Sequence, residues 1–342
     1  MDEFLDSAGI VANGAALAAR LREDGYLCIK SLLPRADVLR VRQTFLDAAA
    51  AAGWFRAGTE VGEAIADPAK ACVDPEAPFV AVLRRFYRDE AGHALKLHPN
   101  VIGLFERLFG EPVLAHPLLI PRCIFPQRPE FTTPSHQDFP HIQGTTETMS
   151  LWLPLGDCPS EMGGLAIARG SHKEGVRDFT VSNGAGAMEV VDPLDGSWVT
   201  GPLEAGDVLI FHSLTVHKGL PNLTDRLRLS LDNRYQRASE PICERCLQPY
   251  AGCGTWDEIH AGWKSEELPY YWRKQAPRIA DFDMKYYDKR DQIAFDLAEH
   301  GDQTARATLL RIVQRDPSEQ KRERASALLA RLDPQAAQPA VQ

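Results

Sequence analysis

The chain has 342 residues, 44% of them hydrophobic and 25% charged, with 38 Lys and Arg against 47 Asp and Glu for a net charge of −9. These values belong to a globular protein with room for one large domain, or one and a half, and they exclude disorder as the main state. An acidic chain without a basic block is poorly suited to nucleic acid or to an anionic membrane surface. No apolar run reaches the roughly 18 residues that crossing a bilayer requires. The start, Met1-Asp2-Glu3-Phe4, lacks the positive charge of a signal peptide, and the seven cysteines are odd in number and scattered. Both features predict a cytoplasmic protein with reduced thiols.

The first third reads as helical with some strand. Asn13 is placed to cap a helix over residues 15–23, and Gly25 to end it. A strand-like run follows at residues 26–30. Pro34 suits the first turn of a second helix, in which Val38, Val41 and Phe45 recur at helical spacing. A third helix is expected from about Asn100 to Phe109, with Gly110 as its stop. From about residue 111 to 236 the texture changes to short apolar or alternating runs broken by Gly, Pro, Asn and Asp: 113–120, 148–155, 164–168, 207–211 and 227–235. Many short strands with turn signals predict a β-sandwich or barrel rather than a doubly wound sheet. Residues 237–288 read as aromatic and loop-like. Residues 304–315 and 318–332, separated by Asp316-Pro317, read as a helical hairpin, and residues 334–342 as a disordered tail.

The chemistry concentrates after residue 132. In Thr133-Pro134-Ser135-His136-Gln137-Asp138, His136 and Asp138 are two apart, so an extended strand would send both side chains from one face. A second histidine could come from the later strand, which offers His212 and His217. Two histidines and a carboxylate form the facial triad of non-haem Fe(II) oxygenases, which leaves positions open for cosubstrate and O₂. An isolated His-x-Asp is common, so the third segment matters. From Arg226 to Arg234 the chain alternates strictly: Leu227, Leu229 and Leu231 on one face, Arg226, Arg228, Ser230, Asp232 and Arg234 on the other. If the leucines pack on the N-terminal helices, the arginines face a barrel interior, where they need an anionic partner. A dicarboxylate gripped by a guanidinium fork would supply it.

With these residues in place, the sequence resembles the phytanoyl-CoA dioxygenase (PhyH-like) family of Fe(II)/2-oxoglutarate-dependent oxygenases. The resemblance runs from about Leu17 to Tyr235. It includes Glu23-Asp24-Gly25-Tyr26, His136-Gln137-Asp138, Trp152-Leu153-Pro154-Leu155, Gly163-Gly164-Leu165, Gly170-Ser171-His172, Gly206-Asp207 and the stretch from His212 to Asn222. It implies an α+β fold: a double-stranded β-helix (a cupin-like jelly roll) flanked by N-terminal helices, with the C-terminal hairpin outside it. The implied domains are an oxygenase domain over 1–295, its β core at about 111–236, and a helical extension over 296–342. Fe(II) is implied on His136, Asp138 and His217, with His217 preferred to His212. 2-Oxoglutarate is implied on Arg228, eleven residues after His217, and on Ser230 two further on. Thr133 and Trp152 are expected beside the cosubstrate, and Arg122, His141, Asp232 and Arg234 toward the substrate. Asp232 and Arg234 are also candidates to pair with each other.

The implied activity is hydroxylation of an unactivated carbon of a small molecule with O₂, releasing succinate and CO₂. The carboxylate at Asp138 favours this over halogenation, whereas desaturation, epimerisation and ring closure use the same iron site. A cupin-like metal enzyme without 2-oxoglutarate and a non-catalytic jelly-roll binding module are the competing readings. Cys243, Cys246, Cys253 and His260 have an irregular zinc-like spacing that the resemblance does not call for. The aromatic run Tyr270-Tyr271-Trp272 is expected to pack over the barrel mouth. The hairpin is a candidate surface for a homo-oligomer.

Overall fold

The computed structural model describes residues 1–129, 132–184, 186–250 and 252–332. The expected disordered tail lies outside these residues. In chain order the strands are β1 (Asp2–Glu3), β2 (Tyr26–Ile29), β3 (Val113–Ala115), β4 (Ile120–Ile124), β5 (Met149–Pro154), β6 (Leu165–Ala168), β7 (Phe179–Thr180), β8 (Glu189–Val190), β9 (Trp198–Thr200), β10 (Val208–His212), β11 (His217–Gly219), β12 (Arg228–Arg237), β13 (Ile242–Cys243) and β14 (Ile279–Ala280). The helices are α1 (Gly14–Asp24), α2 (Arg35–Ala51), α3 (Ala77–Tyr87), α4 (Glu90–Lys96), α5 (Pro99–Phe109), α6 (Phe139–Ile142), α7 (Trp256–His260), α8 (Lys285–Glu299), α9 (Arg306–Arg315) and α10 (Glu319–Leu332).

The result is a mixed α and β architecture in three layers. One sheet runs β2-β10-β5-β12-β3, with β4 also paired to β12; the other runs β1-β9-β6-β11. Trp152, Leu209, Phe211, Tyr26 and Cys28 from the first pack with Leu165, Ile167 and Val199 from the second, so the sheets face each other. The opposite side of the larger sheet meets the N-terminal helices: Leu227, Leu229 and Leu231 share a core with Phe45, Trp54, Phe86 and Phe105. Each such leucine, fully buried, contributes on the order of 1.5–3 kcal/mol. From Leu227 to Arg234 the alternation does what its pattern predicts, whereas Arg226, expected on the inner face, is exposed ahead of the strand. Leucines seal the helix layer, and Arg228, Ser230, Asp232 and Arg234 are buried between the sheets.

Local signals explain the well-placed elements. The Asn13 side chain accepts from the Ala16 N–H, and Gly25 closes α1 at φ 77°. Helix α2 starts directly after Pro34. Several expectations need correction. The run 113–120 is two strands, because the chain breaks pairing between Ala115 and Ile120. The β core is not confined to 111–236. Strand β2 is apolar and buried throughout, so it is inserted beside β10, and β1 pairs with β9. The two expected C-terminal helices are present as α9 and α10, and a further helix, α8, joins them. Their apolar faces pack on α8 around Phe295, Leu309, Ile312 and Leu328. A domain boundary at 295/296 thus falls inside one continuous helix.

The aromatic run also differs from expectation. Trp256 and Trp263 pack on Tyr87 and His93 of the N-terminal helices, and Tyr271 donates to the Ala115 carbonyl. Beside the candidate site stand Tyr286 and Tyr287 of α8 instead, against Phe139 and His141. Among the described residues no helix is long and apolar enough to cross a membrane.

Candidate metal and cosubstrate site

His136 and His217 face each other across an isolated antiparallel bridge, exchanging both backbone hydrogen bonds at 2.9 and 3.0 Å. Directly opposed residues project their side chains together, and the two rings stand 4.2 Å apart between centroids. Asp138 arrives differently from expectation. It is not on an extended strand but in helical conformation (φ −73°, ψ −31°), immediately before α6. The chain turns inward there because Gln137 anchors it. The Gln137 amide donates to the Gly175 and Leu214 carbonyls and accepts from the Arg177 N–H. The turn still brings Asp138 Oδ1 to 3.9 Å from His136 Nε2. Ligand atoms of His136, Asp138 and His217 all lie within 4.8 Å of one another, and all three residues are buried.

The surroundings fix which atoms are free. His136 Nδ1 is 2.8 Å from the Pro134 carbonyl and His217 Nδ1 is 3.1 Å from the Thr215 carbonyl. A carbonyl only accepts, so both Nδ1 atoms carry the proton and both Nε2 lone pairs face the site. Burial pushes the His136 imidazole down to about 3 and the His217 imidazole below its ordinary value, so both rings are neutral and could each offer Nε2 to a cation. Asp138 Oδ2 accepts from the Ser150 hydroxyl and forms an ion pair, at 3.0 Å, with Arg234 Nη2. Burial favours the protonated acid, but the Arg234 guanidinium, the two neighbouring histidines and the Ser150 hydroxyl together outweigh it and hold the carboxyl well below the usual range. Oδ1 remains for a cation. Neutral imidazole and carboxylate in this arrangement suit a divalent iron-like ion.

Strand β12 runs away from this cluster and carries the cosubstrate candidates. Arg228 is buried and donates through Nη1 to the Gly163 and Gly164 carbonyls at 2.8 and 3.3 Å, with its guanidinium carbon 5.8 Å from the centre of the Trp152 ring. Its Nε and the Ser230 hydroxyl are buried without a hydrogen-bond partner. Two orphaned polar groups, two residues apart on one face, fit a bound carboxylate. The turn behind them depends on Gly163. At φ +71°, a Cβ there would lie 2.3 Å from the Leu220 and Pro221 carbonyls.

The remaining candidates fall around the same space. Arg122, opposite Ser230 in register, donates through Nε to Asp232 Oδ2 at 2.8 Å. Asp232 and Arg234 therefore do not pair with each other; each is taken by a closer partner, Arg122 and Asp138. Thr133 is buried, and its carbonyl accepts from the Gly219 N–H two residues after His217. His141, on α6, has its ring 6.4 Å from that of His136. His212 lies outside the cluster: its Nδ1 accepts from the Leu214 N–H and its Nε2 is 3.6 Å from Glu147. Among the described residues, Cys243, Cys246, Cys253 and His260 form no second ligand group, and His260 packs on Trp256, Trp263 and Tyr270. Ser150 was missed by sequence reasoning. Its signal was a small polar residue on the face of β5 shared with Trp152, within an otherwise apolar strand.

The phytanoyl-CoA dioxygenase (PhyH) family profile matches residues 21–230. The chain is 29% identical over 264 residues to 1-deoxypentalenic acid 11-beta-hydroxylase of Streptomyces arenae, covering 72% of this chain and 90% of that protein. It is 29% identical over 267 residues to the enzyme of the same name from Streptomyces exfoliatus, covering 73% and 90%. Among solved structures it is similar to the epimerase SnoN, at 24% identity and a TM-score of 0.46, over 67% of this chain and 85% of that one. With a family match over more than half its length, this chain belongs to the phytanoyl-CoA dioxygenase (PhyH) family.

Proposed function

We infer that the protein is an Fe(II)- and 2-oxoglutarate-dependent dioxygenase that hydroxylates an unactivated carbon of a small molecule. The observation that carries this reading is the pairing of a buried His-Asp-His cluster with an orphaned Arg-Ser pair on the face of β12 whose Arg234 meets Asp138. The family membership and the hydroxylase relatives support it. The two facing sheets are taken as a double-stranded β-helix, and α8–α10 as a unit appended to it.

Fe(II) with 2-oxoglutarate and O₂ supplies an oxidant that removes hydrogen from a substrate carbon and returns a hydroxyl, with succinate and CO₂ released. The residues divide the remaining work. His136 and His217 offer Nε2 and Asp138 offers Oδ1 to the metal. Ser150 and Arg234 hold Oδ2, so the carboxylate cannot swing to chelate with both oxygens. Arg228 and Ser230 take the distal carboxylate of 2-oxoglutarate, and the Gly163-Gly164 turn aims the guanidinium. Trp152 forms the wall beside it, with Thr133 across the metal ligands. Arg122 and Asp232 neutralise each other at the inner edge and present a polar rim to substrate.

Anaerobic addition of Fe(II) and then 2-oxoglutarate to the apoprotein tests the reading: a visible charge-transfer band is expected. Its absence in Asp138→Ala and its shift to far higher 2-oxoglutarate in Arg228→Ala, with the fold retained, would assign the two halves of the site.

A further inference from the structure

The family match ends at residue 230, and α8–α10 lie beyond it. These helices nevertheless hold a segment that leans on the metal-ligand candidates. Val181 belongs to the apolar core formed by Phe295, Leu309 and Ile312. The Asn183 amide donates to the Gln303 carbonyl at 3.5 Å and accepts from the Ala307 N–H at 3.4 Å. Arg311 of α9 is buried, and its Nη2 donates to the Gly184 carbonyl at 3.0 Å. The same nitrogen reaches the Asp74 carbonyl at 3.2 Å and the Asp74 carboxylate at 3.4 Å. A buried guanidinium needs a counter-charge, and Asp74 supplies it. Gly184 is thereby tied to a distant part of the chain.

Gly184 also meets the segment that leads to His136. At φ +101°, a Cβ there would lie 2.7 Å from the Thr132 carbonyl oxygen and 3.2 Å from Pro134 Cδ. Gly219 of β11 approaches as closely: a Cβ there would lie 3.2 Å from Thr132 Cγ2, and its N–H donates to the Thr133 carbonyl at 3.0 Å. Residues 132–134 are therefore packed on two backbone segments, with a glycine at each contact. Pro134 is the last link, because its carbonyl stands 2.8 Å from His136 Nδ1 and orients that ring. Close-packed groups transmit a displacement rather than absorb it.

We propose that Arg311 is a positioning residue for the metal site: through Gly184 and residues 132–134 it sets His136, so that the C-terminal helices clamp a ligand that Arg311 itself does not touch. This rests on the oxygenase reading in taking His136 as a metal ligand. Arg315 supplies the comparison. It bridges α9 to the same Asp74 carboxylate at 3.1 Å, and among the described residues it makes no bond to Gly184.

The test compares wild type, Arg311→Met and Arg315→Met as full chains, by anaerobic Fe(II) titration and by hydrogen exchange of peptides spanning residues 132–138. Arg311→Met is expected to weaken Fe(II) binding by about tenfold, the lower end of what loss of an outer partner costs. It should also speed exchange across residues 132–138. Arg315→Met loosens the same helix from the same carboxylate, but through a partly exposed ion pair, and is expected to stay within about twofold of wild type on both measures. Gly184→Ala keeps Arg311 and its ion pair while pushing on Thr132 directly. It is expected to match the loss in Arg311→Met, and it carries the test should Arg311→Met fail to fold. Unchanged Fe(II) binding in Arg311→Met, or in Gly184→Ala in that event, would overturn the proposal. Equal losses in Arg311→Met and Arg315→Met would overturn it too, since docking of the helices would then be all that matters. A wild type that takes up no Fe(II) would end this proposal together with the oxygenase reading. If the wild type binds Fe(II) but gives no band with 2-oxoglutarate, the oxygenase reading fails while the variant comparison still decides this one.

Discussion

Asp138 has one oxygen committed to Ser150 and Arg234 and the other turned to the histidines. This division yields two predictions at the level of single residues. Ser150→Ala removes a hydrogen bond that orients the ligand, and such changes weaken metal binding by about tenfold or somewhat more. An Fe(II) titration would show it, with the global unfolding midpoint little changed. Arg234→Met leaves the Asp138 carboxylate buried without its counter-charge, which costs the apoprotein about 3–5 kcal/mol. Fe(II) would replace part of the missing positive charge, so urea unfolding should show a larger stabilisation by metal in this variant than in wild type. Equal stabilisation of both would mean that Arg234 does not serve that carboxylate.

At the scale of elements, β12 decides the architecture, because its two faces do different jobs. It was legible because a strand of ten residues with leucines alternating against charges has one register that buries both sets. The caps of α1 were legible because Asn13 and Gly25 act through the backbone of their own turn. Helices α3 and α4, and the two- and three-residue strands β7, β8, β9 and β11, were not read. Such short strands owe their place to partners distant in sequence rather than to a pattern of their own. The same reason explains Asp138. The metal cluster was found by residue type, but its geometry comes from Gln137 bridging to residues 175 and 214, which no local spacing encodes. The turn at Gly163 provides a test of an element rather than a side chain. Gly163→Ala must displace carbonyls that receive Arg228, so 2-oxoglutarate affinity should fall by roughly 10- to 100-fold, the range for losing a charge-assisted contact. Fe(II) affinity should hold. Parallel losses of both would place the turn's role elsewhere.

Across the whole molecule, several imidazoles are buried as neutral groups. Burial pushes His116 and His136 down to about 3, and His93 well below its ordinary value. Their unfolded counterparts take up a proton near pH 6.5. Between that pH and about 3 the unfolded chain therefore binds more protons than the folded one, and stability rises with pH across the window. The urea midpoint of the apoprotein should fall steadily from about pH 6.5 downward. The C-terminal unit is tied in by Arg311 and Arg315 on Asp74, at 3.4 and 3.1 Å, and by the mutual hydrogen bonds of Gln143 and Asp283. Single-transition unfolding monitored by tryptophan and by far-ultraviolet dichroism would agree with that docking.

Fe(II) on the His-Asp-His cluster and 2-oxoglutarate on Arg228 and Ser230 are proposed to be bound together. The direct measurement is the visible spectrum of the anaerobic apoprotein during stepwise addition of Fe(II) and then 2-oxoglutarate, repeated for Asp138→Ala and Arg228→Ala. A charge-transfer band is expected that saturates at one equivalent of each in wild type, is absent in Asp138→Ala, and needs far more 2-oxoglutarate in Arg228→Ala. A folded, iron-loaded wild type without the band would contradict it and leave a metal enzyme that does not use 2-oxoglutarate; a wild type that takes up no iron would leave a binding module.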